Sequence, residues 1–158
     1  MKRPMLLFAL MSVSALITFA TTTGADPQDS RPRGMTVRLE LFVADLEKSV
    51  EFYTNALGFE RLKGEPDYAP LRSGSVLISL GPAKGLPKKH HFNPELQNSR
   101  RGLGVEIVLE VDDVKSLFEK VKASDYKQAL SPLRKQPWGL TDFRITDPDG
   151  YYLRITSR

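Results

Sequence analysis

Apolar and polar positions alternate at the start of the ordered-looking part of the chain. Val37, Leu39, Leu41 and Val43 share one parity, and Arg38, Glu40 and Phe42 the other. This period-two pattern predicts a strand with one buried face. Asp45 follows, and Leu46, Val50, Tyr53 and Leu57 then recur at helical spacing. The arrangement returns later, where Val105, Ile107, Leu109 and Val111 alternate with Glu106, Val108 and Glu110 before Asp113 and a stretch carrying Val114, Leu117 and Val121. Asp45 to Asp113 and Arg38 to Glu106 are both offsets of 68 residues. A constant offset indicates two copies of one unit, and a unit that cannot bury its own sheet face is expected to pair with its twin.

Each copy reads as a strand, a helix and several further strands. The first spans 36–82, a linker 83–104, and the second 105–157. In the first copy Asp45 is placed to cap the helix by accepting a backbone N–H bond from its open first turn. Gly58 tolerates the left-handed conformation that ends a helix, and Phe59 is the apolar contact expected to follow it. The clearest later strand is Val76 to Leu80, after a turn at Ser73 and Gly74. The linker carries Lys84, Lys88, Lys89, Arg100 and Arg101 among prolines and glycines, with no apolar period, and is expected to be an exposed loop. In the second copy a helix is predicted from about Asp113 to Ala123. Strands over Phe143–Thr146 and Tyr151–Thr156 are joined by Asp147-Pro148-Asp149-Gly150, a composition suited to a tight hairpin.

Two βαβββ units, one carrying FVADLEKSVEFYTNALGFE and the other ending PWGLTDFRITDPDGYYLRI, resemble the vicinal oxygen chelate superfamily, the glyoxalase, bleomycin-resistance and extradiol dioxygenase fold. The resemblance covers about residues 36–157. Pro137-Trp138-Gly139, followed by Phe143 and the Asp-Pro hairpin, is similar to the bleomycin-resistance branch in particular. The resemblance implies an α+β fold in which two paired βαβββ modules form a curved, cup-shaped mixed sheet with helices on the outside. It also implies four inward positions where relatives hold a divalent metal, which fall on Arg38, Ser79, Glu106 and Arg154 of this chain.

That set is poor for a metal. A charged guanidinium has no lone pair to donate and is effectively never deprotonated, so only Glu106 is a conventional ligand. The expectation is a site without metal or other cofactor, in which Glu106 sits between Arg38 and Arg154 as a charge-paired cluster. The cluster serves either as a structural salt bridge or as a place where surplus arginine charge meets an anionic ligand group. Glu40 faces the same side, and Phe42, Leu77, Val108 and Trp138 would supply apolar walls. Trp138 is either core packing under the last strands or a stacking wall for a planar ligand. Tyr152 shares parity with Arg154 and is the cup residue of the tyrosine pair. The expected ligand-binding residues are therefore Arg38, Glu40, Phe42, Ser79, Glu106, Trp138, Tyr152 and Arg154, with no catalytic residue.

The start of the chain changes where this domain is expected to work. Lys2 and Arg3 precede an apolar run from Met5 to Ala20, then small residues to Ala25. That is the layout of a secretory signal over 1–25, with a flexible leader over 26–35. The mature chain is expected to be exported, to the periplasm or the extracellular space, without stable membrane insertion. Losing Lys2 and Arg3 lowers the formal charge from +4 to +2, too small an excess to argue for nucleic acid. With no cysteine, disulfides and thiolate chemistry are excluded. His90 and His91, the only histidines, lie beside Lys88 and Lys89 in the linker and are expected in a solvated loop at the mouth of the cup.

The reading that follows is an exported protein, monomer or homodimer, that binds a small organic molecule in a metal-free cup. Two rival readings stay open. One is a metal-dependent lyase, isomerase or dioxygenase of the same superfamily, and the other is a protein-interaction module with a filled cup.

Overall fold

The computed structural model describes residues 34–93, 100–127 and 130–158, so the predicted signal and most of the leader lie outside the described residues. The first module begins with β1 (Leu39–Val43) and α1 (Leu46–Glu51), which widens into a π-helical turn over Phe52–Ala56. Strands β2 (Glu60–Arg61), β3 (Ala69–Ser73) and β4 (Val76–Pro82) complete it. The second module contains β5 (Glu106–Val111), α2 (Val114–Lys122), β6 (Arg134–Lys135), β7 (Thr141–Thr146) and β8 (Tyr152–Ser157).

The repeat seen in the sequence is a repeat of topology. The strands form two four-stranded sheets with orders β1-β4-β3-β2 and β5-β8-β7-β6. In each, the first strand runs parallel to the last and the remaining neighbours are antiparallel. This is the expected α+β pair of βαβββ modules. The first strand is shorter than its pattern suggested. Pairing starts at Leu39 opposite Ile78, and Val37 is 76% exposed ahead of it.

Side-chain parity fixes the register. Leu41 and Val43, paired with β4, and Ile107 and Leu109, paired with β8, all enter one core that spans both modules. Burying such a side chain stabilises by about 1.5–3 kcal/mol. A one-residue slip of β5 would expose Ile107 and Leu109 and push Glu106 and Glu110 into the core, so the alternative register is strongly disfavoured. Asp45 accepts from Lys48 N at 3.1 Å and Asp113 from Ser116 N at 2.9 Å, so both helices start where a carboxylate satisfies an open N–H. Gly58 ends the first helix at φ 78°, and the buried Phe59 ring meets Tyr53 edge-on at 5.8 Å.

A candidate binding face on the two sheets

The parity that buries Leu41 and Leu109 turns the other residues of each strand to the opposite face. Glu40, Phe42 and Ser79 lie on that face of the first sheet, where Glu40 is in register with Ser79 and Phe42 with Gly81. Glu106, Val108, Tyr152 and Arg154 lie on that face of the second, with Glu106 opposite Tyr152 and Val108 opposite Arg154. Glu40, Val108 and Tyr152 are exposed, while Ser79 is buried on its strand between β1 and β3.

One half of the expected charge cluster forms. Arg154 Nε lies 3.7 Å from Glu106 Oε2, an ion pair too long for a hydrogen bond. The other half does not. Arg38 is exposed ahead of β1 and has no ion-pair partner among the described residues, because pairing with β4 starts one residue after it.

The second sheet also carries a charged group that alternation alone did not single out. Arg144 on β7 is directly opposite Arg154 on β8. Its Nη1 donates to Asp142 Oδ1 at 2.6 Å, and Gln136 Nε2 donates to the same oxygen at 2.7 Å. Asp142 is fully buried, and its other carboxylate oxygen has no hydrogen-bond partner among the described residues. Glu106, Arg154, Arg144 and Asp142 thus run in a row across three strands.

The donor set does not suit a divalent metal. Of the four positions that the resemblance gives to a metal, two carry guanidinium groups, one a hydroxyl, and the single carboxylate already faces Arg154. Among the described residues no three His, Cys, Asp or Glu side chains gather in a group that could coordinate one.

The linker is not simply an exposed loop. His90 and Phe92 pack edge-on against Phe42, with ring centroids 5.2 and 5.7 Å away, and Phe92 N donates to His90 Nδ1 at 3.3 Å. Phe42 is apolar on the open face, and the two rings remove part of it from water. Trp138 takes the opposite course. It sits 56% exposed in the turn joining β6 to β7, closed by Gly139 N donating to Gln136 O at 2.9 Å, so it is not core.

Four of the expected ligand residues border two separate hollows. Glu40 and Phe42 border one of about 260 Å³ with Tyr68 and Gly81, and Glu106 and Tyr152 border one of about 370 Å³ with Arg100, Arg101 and Gly104. A further hollow of about 530 Å³ reaches from Leu57, Phe59 and Val76 of the first module to Val108, Glu110 and Leu117 of the second.

The Asp147–Gly150 hairpin does more than turn the chain. Asp149 accepts from Ala44 N at 2.7 Å and Ser49 Oγ at 3.0 Å and pairs with Arg101 at 2.9 Å. Asp147 accepts from Tyr53 Oη at 3.1 Å and from the backbone of Asp149 and Tyr151. Burial pushes the Asp147 carboxyl up to about 6, although the donated hydrogen bonds oppose the rise. The sequence marked these residues as a turn only, since their partners lie about a hundred residues upstream.

Comparison with known proteins agrees with this geometry. The model of the Glyoxalase/Bleomycin resistance protein/Dioxygenase superfamily matches residues 36–155. A bleomycin resistance protein of Geobacillus stearothermophilus is 27% identical over 111 residues, covering 68% of this chain and 84% of the relative. A lactoylglutathione lyase of Neisseria meningitidis is 29% identical over 124 residues, covering 75% and 86%. Among solved structures, a bleomycin-binding protein in complex with bleomycin superimposes with a TM-score of 0.58 at 20% identity, covering 79% of this chain and 99% of that one, a likeness of fold.

Proposed function

The chain belongs to the glyoxalase/bleomycin resistance protein/dioxygenase superfamily, and from that membership we propose that it binds a small organic molecule on the open faces of its two sheets, without a metal and after export. The observation that carries this reading is the pairing of Glu106 with Arg154 at 3.7 Å, which sets a cation against the one carboxylate of the four inherited metal positions. Binding by shape and a few polar groups requires no Lewis acid, and Val108 and Tyr152 offer apolar surface beside those groups. The bleomycin resistance relative and the bleomycin-bound structure of like fold support sequestration of an organic ligand as the activity. Export rests on Lys2, Arg3 and the apolar run to Ala20.

The lactoylglutathione lyase relative favours a second reading, catalysis within the same family. Its weakness here is the donor set, which leaves Glu106 as the only ordinary ligand at the four positions. Elemental analysis of the purified mature chain separates the two readings. One transition metal per chain would overturn the metal-free reading. A melting-shift screen of organic compounds tests binding itself, because a ligand at a hundred times its Kd stabilises by about 2.7 kcal/mol. A screen without any shift would remove the binding reading.

A further inference from the structure

Arg144 and Arg154 stand directly opposite each other on antiparallel strands with their side chains on the same face. Opposed residues in such a pair place their Cβ atoms roughly 5 Å apart, and like charges there repel. About three quarters of each arginine side chain is out of water, at 25% and 26% exposure. The two cations are compensated unequally. Asp142 holds Arg144 at 2.6 Å, whereas Glu106 reaches Arg154 only at 3.7 Å, and Arg154 Nε is buried with no acceptor among the described residues. A buried N–H donor without an acceptor is costly, and here it lies beside a second guanidinium with donors to spare.

We infer that the Arg144–Arg154 pair is an anion site and that the molecule bound on this face is an apolar monocarboxylic acid. This rests on the proposal that the open sheet face binds a small molecule. A planar carboxylate matches the guanidinium fork and would meet the terminal nitrogens of the arginines, since Arg154 Nε itself is closed to solvent. A single negative charge fits better than a phosphate dianion, because Glu106 and Asp142 bracket the two arginines and repel a second charge. The body of the acid has apolar surface to cover. Val108 lies opposite Arg154 and is 41% exposed, and Tyr152, two residues from Arg154 on the same face, is 40% exposed. Asp142 and Gln136 act as positioning residues, holding Arg144 from beneath.

Isothermal titration calorimetry of the mature protein with 1-naphthoate, and with 1-naphthalenemethanol as the uncharged control, tests this. Naphthoate is expected to bind at least about tenfold more tightly than the alcohol, and Arg154→Gln to lose that advantage. Arg61→Gln, at an exposed ion pair with Glu47 elsewhere, is expected to keep wild-type affinity. Because Arg144→Gln alone would strand the buried Asp142, it is combined with Asp142→Asn, and folding is confirmed by circular dichroism before the same loss is measured. Naphthoate binding no tighter than the alcohol, or binding unaffected by Arg154→Gln, overturns the anion site. Should the alcohol or another uncharged compound bind equally well, the small-molecule reading survives and only the acid preference falls. If no compound of any charge binds, both fall.

Discussion

The Tyr151 hydroxyl accepts from Phe42 N at 3.2 Å and donates to Phe42 O at 3.1 Å, so one side chain from the second module satisfies both backbone groups of a residue in β1. β1 is at the edge of its sheet, paired on one side only with β4. An open edge costs hydrogen bonds when shielded from water and invites pairing with other chains. Tyr151 closes that edge with a hydroxyl, and burial pushes its own proton affinity up.

Tyr151→Phe should therefore leave two half-buried backbone groups unmet. We expect a loss of about 1–3 kcal/mol in urea unfolding, with little change in the slope of the transition. A loss within error would show that water replaces the hydroxyl without cost.

Asp147 supplies a pH signature. Its folded value of about 6 stands above the ordinary 3.8, so the native state holds more protons than the unfolded chain between roughly pH 4 and pH 6. Stability should fall as pH rises through that window and level off above it, by on the order of 2–3 kcal/mol from this group. Asp147→Asn should flatten the slope. Chemical denaturation of both proteins at closely spaced pH values reads it directly, and equal slopes would refute the assignment.

Asp149 ties α1 and the linker to the last hairpin, with its side chain 3% exposed and that of Arg101 17% exposed. Removing one member of such a pair strands the other, so Asp149→Ala should cost ~3 kcal/mol. A double-mutant cycle with Arg101→Ala should recover part of that loss. Strictly additive effects would mean that the two charges act independently.

Gly64 lies before β3 with no room for a side chain. An added Cβ would collide with the Tyr68 carbonyl oxygen and lie 2.6 Å from Pro70 Cδ. Backbone cannot rotate away as a long side chain can, so Gly64→Ala should destabilise by about 1–3 kcal/mol and lower the melting temperature. Unchanged melting would show that the β2–β3 segment shifts freely.

Strands β1, β4, β5, β7 and β8, both helices, their aspartate caps and the two-copy architecture were legible in the residues, because alternation, helical spacing and capping are local properties of the chain, whereas the two-residue β6 is too short to show a period. Alternation also assigned Glu106, Val108, Tyr152 and Arg154 to one face, since parity along a paired strand follows once its buried residues are known. Arg38 escaped that logic because parity cannot say where pairing begins. Trp138 escaped it because the position of a turn residue is set by the loop rather than by a period. The Arg144–Arg154 opposition, the hold of Asp142 on Arg144, and the bonds from Asp147, Asp149 and Tyr151 into the first module were decided only by tertiary structure. Each depends on strand register or on contacts between segments distant in sequence, and neither leaves a periodic trace along the chain.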